Sequence, residues 1–434
     1  MNRFGAIAVT VCIIIVFSLI LIPLAHADWM MFRSDPYHNG VGTGSPALTP
    51  TLIWNYTTGS GVYSSPAVVN GVVYVGSLDG NVYALNANSG YLVWNHTIGG
   101  DVKPSPAVVG GVVYIGSEVP MGLNGYVGNV YALKTSNGDK IWNYTLGNYY
   151  SYVESSPVAV NGVVYVCSGV GLAPPVPPTF AVLLGSVYAL NATNGNKLWN
   201  YTTDSSVDSS PAVADGILYV GCEDGNVFAL NATDGSKLWS YNTVGGIDSS
   251  PAVVNGVVYV GSFDRNVYAL NAISGAKLWN YTTGDWVESS PAVDKGVVYI
   301  GSDDGNVYAF NAINGTKIWN YPIGGYSFGS SPCVISGVVY IGSYNHKIYA
   351  LNATNGANLW NYTTGDIVLS SPTVVNGVVY FGSYDDRVYA LGASSSSPAL
   401  SNTLLIVIGV VIFVVIVVSV VFFRYKKRSQ TSLF

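Results

Sequence analysis

The sequence predicts an all-β fold: an eight-bladed β-propeller of four-stranded antiparallel blades, closed by an N-terminal strand and followed by a single C-terminal transmembrane helix. Three observations lead to the propeller. A unit of about 40 residues with four strand signals recurs along the chain. It can be counted eight times, and the two ends of the array complement each other. The helix is predicted from a long uncharged segment near the C-terminus.

The unit is clearest in residues 249–284, where four short strands are predicted. They cover residues 250–254, 257–262, 266–270 and 277–283, and they are rich in Val, Tyr and Ile. Asn255 and Gly256 separate the first two strands, a pair typical of a tight turn in which both residues take positive φ. Gly, Asn and Asp at the other breaks indicate an antiparallel meander.

Three markers of the unit each occur eight times. The Ser-Pro pair of the first strand ends at Pro66, Pro106, Pro157, Pro211, Pro251, Pro291, Pro332 and Pro372. The aromatic residue of the third strand is Tyr83, Tyr131, Tyr188, Phe228, Tyr268, Tyr308, Tyr349 or Tyr389. The structural tryptophan of the fourth strand is Trp54, Trp94, Trp142, Trp199, Trp239, Trp279, Trp319 or Trp360. Most spacings within each set equal about 40 residues, the length of one propeller blade.

The array begins and ends out of register. A tryptophan strand at residues 52–56 precedes the first Ser-Pro pair, and no tryptophan strand follows residues 388–391. The N-terminal strand is therefore predicted to complete the last blade, which closes the ring and leaves no open edge. An open solenoid is the alternative, but it would not need complementary ends.

The chain divides into six predicted segments. They are a signal peptide (1–27), an N-terminal arm over one face of the ring (28–50), the propeller (51–392), a Ser-rich tether (393–403), a transmembrane helix (404–423) and a basic cytoplasmic tail (424–434). Ala25-His26-Ala27 is typical of a cleavage site, and an uncleaved anchor is the alternative. His38 in the arm is interpreted as structural.

These segments predict a single-pass protein of the cell membrane. Basic residues directly after the helix place the C-terminus in the cytoplasm and the propeller outside. The part between leader and helix holds all 23 acidic residues and twelve basic ones, a formal charge of −11. Such an acidic domain argues against nucleic acid as a partner.

Three cysteines remain beyond the leader, Cys167, Cys222 and Cys333. Cys167 and Cys222 lie near the ends of second strands in neighbouring blades, so a bridge between them is one interpretation. Buried free thiols are the favoured one, because the odd count gives no disulfide framework.

Two blades carry insertions between their second and third strands. Residues 118–127 replace a short turn in one, and the Pro-rich, apolar segment 169–185 lengthens the next. Insertions in repeat arrays collect on one face, often the face that binds. A contact role for the second insertion is favoured slightly over neutral drift of a tolerated loop.

The blade sequence resembles the PQQ-like (pyrroloquinoline-quinone-type) repeat family. The resemblance depends on Ala189-x-Asn191-x-x-Asn194-Gly195-x-x-x-Trp199 and its copies, and on an arm similar to the family's at residues 29–40. It covers residues 28–392 and implies the repeat fold without one function. Such families include quinoprotein dehydrogenases, which hold a quinone and calcium over the ring's centre, and binding scaffolds such as the lipoprotein of outer-membrane barrel assembly.

The sequence assigns no cofactor. The adjacent Cys-Cys pair of the quinone enzymes is missing, and no unique set of calcium ligands stands out. The histidines beyond the leader, His38, His96 and His346, are too scattered for a metal cluster. PQQ and calcium thus remain implied by the resemblance only, and no metal ligand or catalytic residue is predicted.

One group of residues departs from the repeat. The residue before Ser-Ser-Pro is acidic in four consecutive blades, as Glu154, Asp208, Asp248 and Glu288. Equivalent positions of consecutive blades lie on one arc, here where the innermost strand begins, so the carboxylates can converge at one mouth of the channel. The turns between second and third strands emerge on the same face and add Glu223, Asp224, Asp264, Asp303 and Asp304, and the entry loops add the aromatic residues Tyr149, Tyr150, Tyr152 and Trp286. Together they form a candidate cation or ligand site. The alternative is that they only solvate this face.

Ten Asn-x-Ser/Thr sequons occur in the chain. Six follow the blade tryptophan in the outermost strand, where a glycan would be accessible: Asn55, Asn95, Asn143, Asn200, Asn280 and Asn361. The other four, Asn191, Asn231, Asn314 and Asn352, lie near the turns between third and fourth strands.

Three functions fit these features. The favoured one is a surface scaffold without catalysis that binds an extracellular protein, glycan or other ligand. The second is a membrane-anchored, PQQ- and calcium-dependent quinoprotein dehydrogenase. The third is a structural component of the cell envelope with glycosylated blades.

Overall fold

The computed structural model describes residues 28–42, 44–121, 125–147, 150–170, 184–324 and 329–392. The predicted signal peptide, tether, transmembrane helix and basic tail lie outside the described residues, as does most of the second insertion. Within the described ranges, no helix has the length and apolar character needed to cross a membrane.

The described residues contain 33 β-strands and no α-helix. The first half of the chain contributes β1 (Leu52–Thr57), β2 (Ala67–Val69), β3 (Val72–Gly76), β4 (Asn81–Asn86), β5 (Leu92–Thr97), β6 (Ala107–Val109), β7 (Val112–Met121), β8 (Gly125–Lys134), β9 (Lys140–Leu146), β10 (Tyr150–Tyr152), β11 (Val158–Val160), β12 (Val163–Val170), β13 (Ser186–Asn191), β14 (Lys197–Thr202), β15 (Ala212–Ala214), β16 (Ile217–Gly221), β17 (Asn226–Asn231) and β18 (Lys237–Asn242). The second half contributes β19 (Ala252–Val254), β20 (Val257–Gly261), β21 (Asn266–Asn271), β22 (Lys277–Thr282), β23 (Ala292–Asp294), β24 (Val297–Ser302), β25 (Asn306–Asn311), β26 (Lys317–Pro322), β27 (Cys333–Ile335), β28 (Val338–Ser343), β29 (Lys347–Asn352), β30 (Asn358–Thr363), β31 (Thr373–Val375), β32 (Val378–Ser383) and β33 (Arg387–Gly392).

Six sheets have four strands each, in the orders β2-β3-β4-β5, β15-β16-β17-β18, β19-β20-β21-β22, β23-β24-β25-β26, β27-β28-β29-β30 and β31-β32-β33-β1. The seventh sheet has nine strands. In it, the meanders β6 to β9 and β11 to β14 are joined by β10, which pairs parallel to β8 and antiparallel to β12. The all-β class and the repeated four-stranded antiparallel unit are therefore confirmed.

The N-terminal strand completes the last sheet, as predicted from the absence of a tryptophan strand after the last repeat. β1 pairs antiparallel to β33, with Trp54 opposite Ala390 and Tyr56 opposite Val388. Because this pairing joins the two ends of the array, it covers a strand edge that would otherwise be open.

The turn between the first two strands has the predicted backbone. Asn255 has φ 52° and Gly256 has φ 75°. Asn70 and Gly71 repeat these values at 51° and 74°. Asn tolerates the left-handed region better than most side chains, and Gly enters it without steric cost.

The first insertion differs from the loop that the sequence predicted. Residues 118–121 and 125–127 continue β7 and β8 as one long hairpin, because their register pairs Glu118 with Gly128 and Pro120 with Tyr126. Tyr150 and Tyr152, expected in an entry loop, belong to β10. Beyond β12, the second insertion lies outside the described residues at 171–183.

The core lies between neighbouring sheets. Each marker tryptophan donates its Nε1–H to a carbonyl of the next repeat at 2.8 to 3.1 Å: Trp54 to Ala87, Trp94 to Thr135, Trp142 to Ala192, Trp199 to Ala232, Trp239 to Ala272, Trp279 to Ala312, Trp319 to Ala353 and Trp360 to Ala47. Each indole ring therefore buries its apolar area while its N–H keeps a hydrogen-bond partner.

The serine before each marker proline joins neighbouring repeats. Its backbone N–H donates to the hydroxyl oxygen of the next such serine at 2.9 to 3.0 Å, in the order Ser65, Ser105, Ser156, Ser210, Ser250, Ser290, Ser331, Ser371 and back to Ser65. The serine one position earlier acts within its own repeat and also reaches the next one: Ser249 Oγ, for example, accepts the N–H of Gly261 and donates to the carbonyl of Ser289. The first-strand N–H groups at this position would otherwise be buried without partners.

The arm runs along the inner strands. Its carbonyls accept first-strand N–H groups in chain order: Trp29 from Val68, Met30 from Val108, Pro36 from Val213, Tyr37 from Val253, Asn39 from Val293 and Gly40 from Val334. The buried guanidinium of Arg33 donates to the carbonyls of Pro291 and Pro332. His38 is fully buried, which lowers its pKa to about 3, and packs edge-on to Phe32. It is therefore neutral and structural.

Candidate functional site

The inner strands begin at one mouth of the ring, around a cavity of about 110 Å³. The residue two positions before the linking serine lines this cavity in all eight repeats: Tyr63, Lys103, Glu154, Asp208, Asp248, Glu288, Gly329 and Leu369. Phe32 of the arm and most of the linking serines complete the lining. The four carboxylates grouped by sequence position therefore do lie at one mouth, because the repeat places equivalent residues at equivalent depth.

The carboxylates of Asp208 and Asp248 approach a third one. Their oxygens and one of Glu223, from the turn after β16, all lie within 4.8 Å of one another. Asp208 Oδ2 accepts the hydroxyl of Tyr152 at 3.1 Å. The Oδ1 atoms of Asp208 and Asp248 are buried and have no hydrogen-bond partner among the described residues. Such buried oxygens are costly unless a donor or a cation reaches them.

Burial and mutual repulsion raise the pKa values of these acids. The pKa of Asp208 lies well above its usual range because of burial, then because of Asp248, Glu154 and Glu223. Burial, with Glu223 and Glu154, raises the pKa of Asp248 to about 7. Burial, with Asp303 and Asp248, raises the pKa of Glu288 to about 8. Mutual repulsion thus adds to burial, and Asp248 and Glu288 change their charge near neutral pH.

Lys103 is the basic residue of the described lining. Its Nζ lies 2.7 Å from Glu154 Oε1 and 3.2 Å from Glu118 Oε2. Burial opposes its charge, but Glu154 and then Glu118 outweigh burial and raise the pKa of Lys103. Glu118 is itself so buried that its pKa is raised to about 7 despite the lysine. This ion triplet leaves Asp208, Asp248 and Glu288 without a basic neighbour in the described lining.

Besides the acids, Lys103 and the serines, the lining consists of Tyr63, Gly329, Leu369 and Phe32. Tyr63, Gly329 and Leu369 line the side opposite the acids in repeat order, and the ring of Tyr63 lies 6.5 Å from that of Tyr384. Trp286 does not line the cavity. It is 46% exposed and stacks on Phe263 with ring centroids 5.0 Å apart.

Four lining residues were not predicted from the sequence, although each occupies the same repeat position as the four acids: Lys103, Tyr63, Gly329 and Leu369. Reading that position around all eight repeats would have found them. Phe32 had no such signal, because only the path of the arm brings it to the cavity floor.

The other predicted residues lie apart from the mouth. The outer-strand sequon residues Asn55, Asn95, Asn143, Asn200, Asn280 and Asn361 are exposed. By contrast, the half-buried Asn191, Asn231 and Asn352 use Oδ1 to accept turn N–H groups. Cys167, Cys222 and Cys333 are buried free thiols, so the bridge considered between the first two is absent.

Comparison with known proteins identifies the repeat. The family model for outer membrane protein assembly factor BamB matches residues 46–177, 184–333 and 325–397. No curated protein matches the chain. Among solved structures, BamB from Moraxella catarrhalis is 19% identical, with a TM-score of 0.63 over 80% of this chain and 98% of its own.

Two enzymes are equally similar in fold. The quinohemoprotein alcohol dehydrogenase ADHIIG from Pseudomonas putida HK5 is 16% identical, with a TM-score of 0.68 over 86% of this chain and 81% of its own. That from Comamonas testosteroni is 14% identical, with a TM-score of 0.69 over 88% and 82%. At these identities the likeness shows a shared fold.

Proposed function

We propose that this chain, which belongs to the PQQ-type repeat family of outer membrane protein assembly factor BamB, has a binding function without catalysis. The family match confirms the resemblance carried by the blade motif. In this proposal the chain is a membrane-anchored, extracytoplasmic, eight-bladed propeller that displays its acidic mouth to a cationic ligand.

The eight-bladed ring is supported by two sets of contacts. The linking serines form a cycle of eight hydrogen bonds that returns to its start. The tryptophan of each repeat bonds to the next repeat, and that of the seventh bonds to Ala47, just before β1. Because both sets link the last repeats back to residues near the start of the array, Ser65 and Ala47, a closed ring accounts for them better than an open array.

The membrane anchor is supported by the sequence. Residues 404–423 are uncharged and long enough to span, with basic residues after them.

One observation carries the ligand proposal: Asp208, Glu223 and Asp248 converge within 4.8 Å, and two of the buried oxygens have no partner in the described chain. Like charges this close raise one another's pKa values, as they do here. A bound cation would satisfy the oxygens and relieve the repulsion, which makes the mouth a cation receptor.

The quinoprotein alternative finds less support in the lining. Pyrroloquinoline quinone carries carboxylates, whereas the described lining has four acids and one lysine already paired with Glu118 and Glu154. A volume of about 110 Å³ is also well below the ~300 Å³ at which pockets for drug-sized ligands begin. The described lining residues therefore do not fit pyrroloquinoline quinone.

Calorimetric titration of the full-length protein in detergent micelles tests the proposal, with calcium chloride, n-butylammonium chloride and pyrroloquinoline quinone as probes. We expect saturable binding of a cation that is lost in Asp208→Asn and Asp248→Asn. Asp215→Asn, an equal charge change at an exposed turn of the same repeat, is the control. Binding of neither cation, or stoichiometric quinone binding with dye reduction, would overturn the proposal.

A further inference from the structure

The mouth already contains one bound ammonium group. Lys103 places its Nζ between carboxylates of Glu118 and Glu154 at 3.2 and 2.7 Å, with 25% of its side chain exposed. Lys103 and Glu154 occupy the same register position in consecutive repeats. The next three positions, Asp208, Asp248 and Glu288, continue the arc with no basic residue in the described lining. One part of the acidic arc thus binds the ammonium group of Lys103. The other part presents further carboxylates that have no basic partner in the described lining.

The acceptors match the donors of an ammonium group. An R–NH₃⁺ group has three N–H donors and no acceptor. With N···O distances of about 2.8 Å, tetrahedral geometry separates its acceptors by about 4.6 Å. One oxygen each from Asp208, Glu223 and Asp248 lies within 4.8 Å of the others. The Oδ1 atoms of the two aspartates are buried without a partner in the described chain, so they are available to such donors.

The apolar side of the mouth suits a carbon stem. Tyr63, Gly329, Leu369 and Phe32 line the same cavity as Asp208 and Asp248, and Glu223 lies just outside that lining. A bare metal ion gains nothing from these surfaces, whereas each buried methylene of an amine tightens binding by about fourfold. The volume of about 110 Å³ accommodates the end of one side chain and leaves any larger body outside.

From these contacts we propose that the mouth is a receptor for an alkylammonium group, with its nitrogen on Asp208, Glu223 and Asp248 and its stem toward Tyr63 and Leu369. The group comes either from a lysine side chain of a partner or from a free aliphatic amine. This inference rests on the proposed cation-binding function and specifies its ligand class.

Competition between amines and calcium tests the inference. Full-length protein in detergent micelles is titrated at about pH 9, above the pKa values of about 7 and 8 at Asp248 and Glu288 and below that of an alkylammonium, about 10.4. We expect butylammonium to bind one-to-one and at least tenfold more tightly than methylammonium. Asp208→Asn and Asp248→Asn should weaken butylammonium at least tenfold, and Asp215→Asn should not.

A stem variant separates this ligand class from simple charge attraction. Leu369→Asn should reduce the ratio of butylammonium affinity to methylammonium affinity. A melting curve for each variant shows that it is folded. Calcium binding that depends on Asp208 and Asp248, without amine binding, would overturn the inference and leave the cation-receptor function standing. Failure of every cation would remove both.

Two further probes distinguish the sources. Acetyl-Gly-Lys-Gly-amide is compared with acetyl-Gly-Gly-Gly-amide and with butylammonium. Binding of the lysine peptide, at an affinity near that of the amine, would identify a partner's lysine. Binding of the amine alone would identify a free aliphatic amine, because a peptide backbone would then clash with the rim.

Discussion

The backbone N–H of Ser371 donates to the hydroxyl oxygen of Ser65 at 2.9 Å, across 306 positions of sequence. This bond is the last of the serine cycle, and it joins the eighth repeat to the first. At the other edge of the same sheet, β1 pairs with β33. The two ends of the array are therefore joined at both the inner and the outer strands. Closure of the array therefore depends on both ends of the chain.

The serine cycle predicts a difference between two adjacent serines. Ser250→Ala removes the acceptor of the buried N–H of Ser210, which should lower the free energy of unfolding by about 1–3 kcal/mol. Ser249→Ala should cost a similar amount, because Gly261 loses its acceptor. Only Ser250→Ala, however, should speed hydrogen exchange at Ser210, in the neighbouring repeat. Equal exchange at Ser210 in both variants would show that the cycle adds no coupling between repeats.

The tryptophans predict a graded loss of stability. Trp279→Phe keeps a ring but removes the 2.9 Å hydrogen bond to the Ala312 carbonyl, which still accepts the Tyr259 hydroxyl at 3.1 Å, so the cost should be about 1 kcal/mol. Trp279→Ala also leaves a cavity, which should cost about 3–5 kcal/mol. Chemical denaturation of the full-length protein measures both values. Similar losses in the two variants would mean that packing of the ring contributes little.

The arm predicts a specific steric effect at Gly40. Its φ is +69°, and an added Cβ would lie 2.9 Å from Ala292 Cβ and closer still to the Arg33 guanidinium. Gly40→Ala should therefore destabilise by about 2 kcal/mol or more. Gly71→Ala is the matched control, since Gly71 has φ +74° with no atom within 4 Å of the added group. Equal melting temperatures for the two variants would contradict the tight fit of the arm.

The raised pKa values predict that folding stability falls as pH rises. Asp248 and Glu288 have pKa values of about 7 and about 8 in the folded protein, above about 4 in the unfolded chain. The folded state therefore binds more protons at these two carboxyls between these values, so their contribution to stability is fully present below about pH 4 and is lost as pH rises through 8. Asp248→Asn should flatten the melting temperature against pH over this window. An unchanged slope would show that the mouth does not titrate in this way.

An added alkylammonium should oppose this loss. It binds the charged carboxylates, so its stabilising effect should grow as pH rises through 7 and 8. Melting curves with and without butylammonium at several pH values measure the effect. A benefit that is independent of pH would place the amine elsewhere.

The sequons predict a pattern of glycosylation if the propeller lies outside the cell. We expect glycans on the exposed outer-strand set that includes Asn200 and Asn280. Asn320 occupies the same strand position, but Pro322 replaces the Thr of the sequon, so it should be bare. Glycopeptide mass spectrometry of the native protein measures occupancy. Unmodified sequons throughout would weaken the surface assignment and the envelope alternative.

The sequence by itself determined the repeated strand unit, its turns and the register of its markers. These follow from local chemistry: Val and Tyr favour strands, and Asn255-Gly256 requires the turn that it forms. Because Trp54 precedes the first repeat and the last repeat lacks a tryptophan strand, the pairing of β1 with β33 could also be predicted. The four acids could also be grouped from the sequence, because each directly precedes a Ser-Ser-Pro segment and so occupies the same position of the repeat.

Only the tertiary structure decided what those positions do together. The sequence places Glu223 on the same face as Asp208 and Asp248, but only the structure shows that this turn acid, and not another, comes within 4.8 Å of both. The partner of each serine lies about one repeat away, and Phe32 reaches the mouth through the arm. These contacts depend on how sheets stack around an axis. Residues close in space there are distant in sequence, so local propensity determined the unit and packing decided the site.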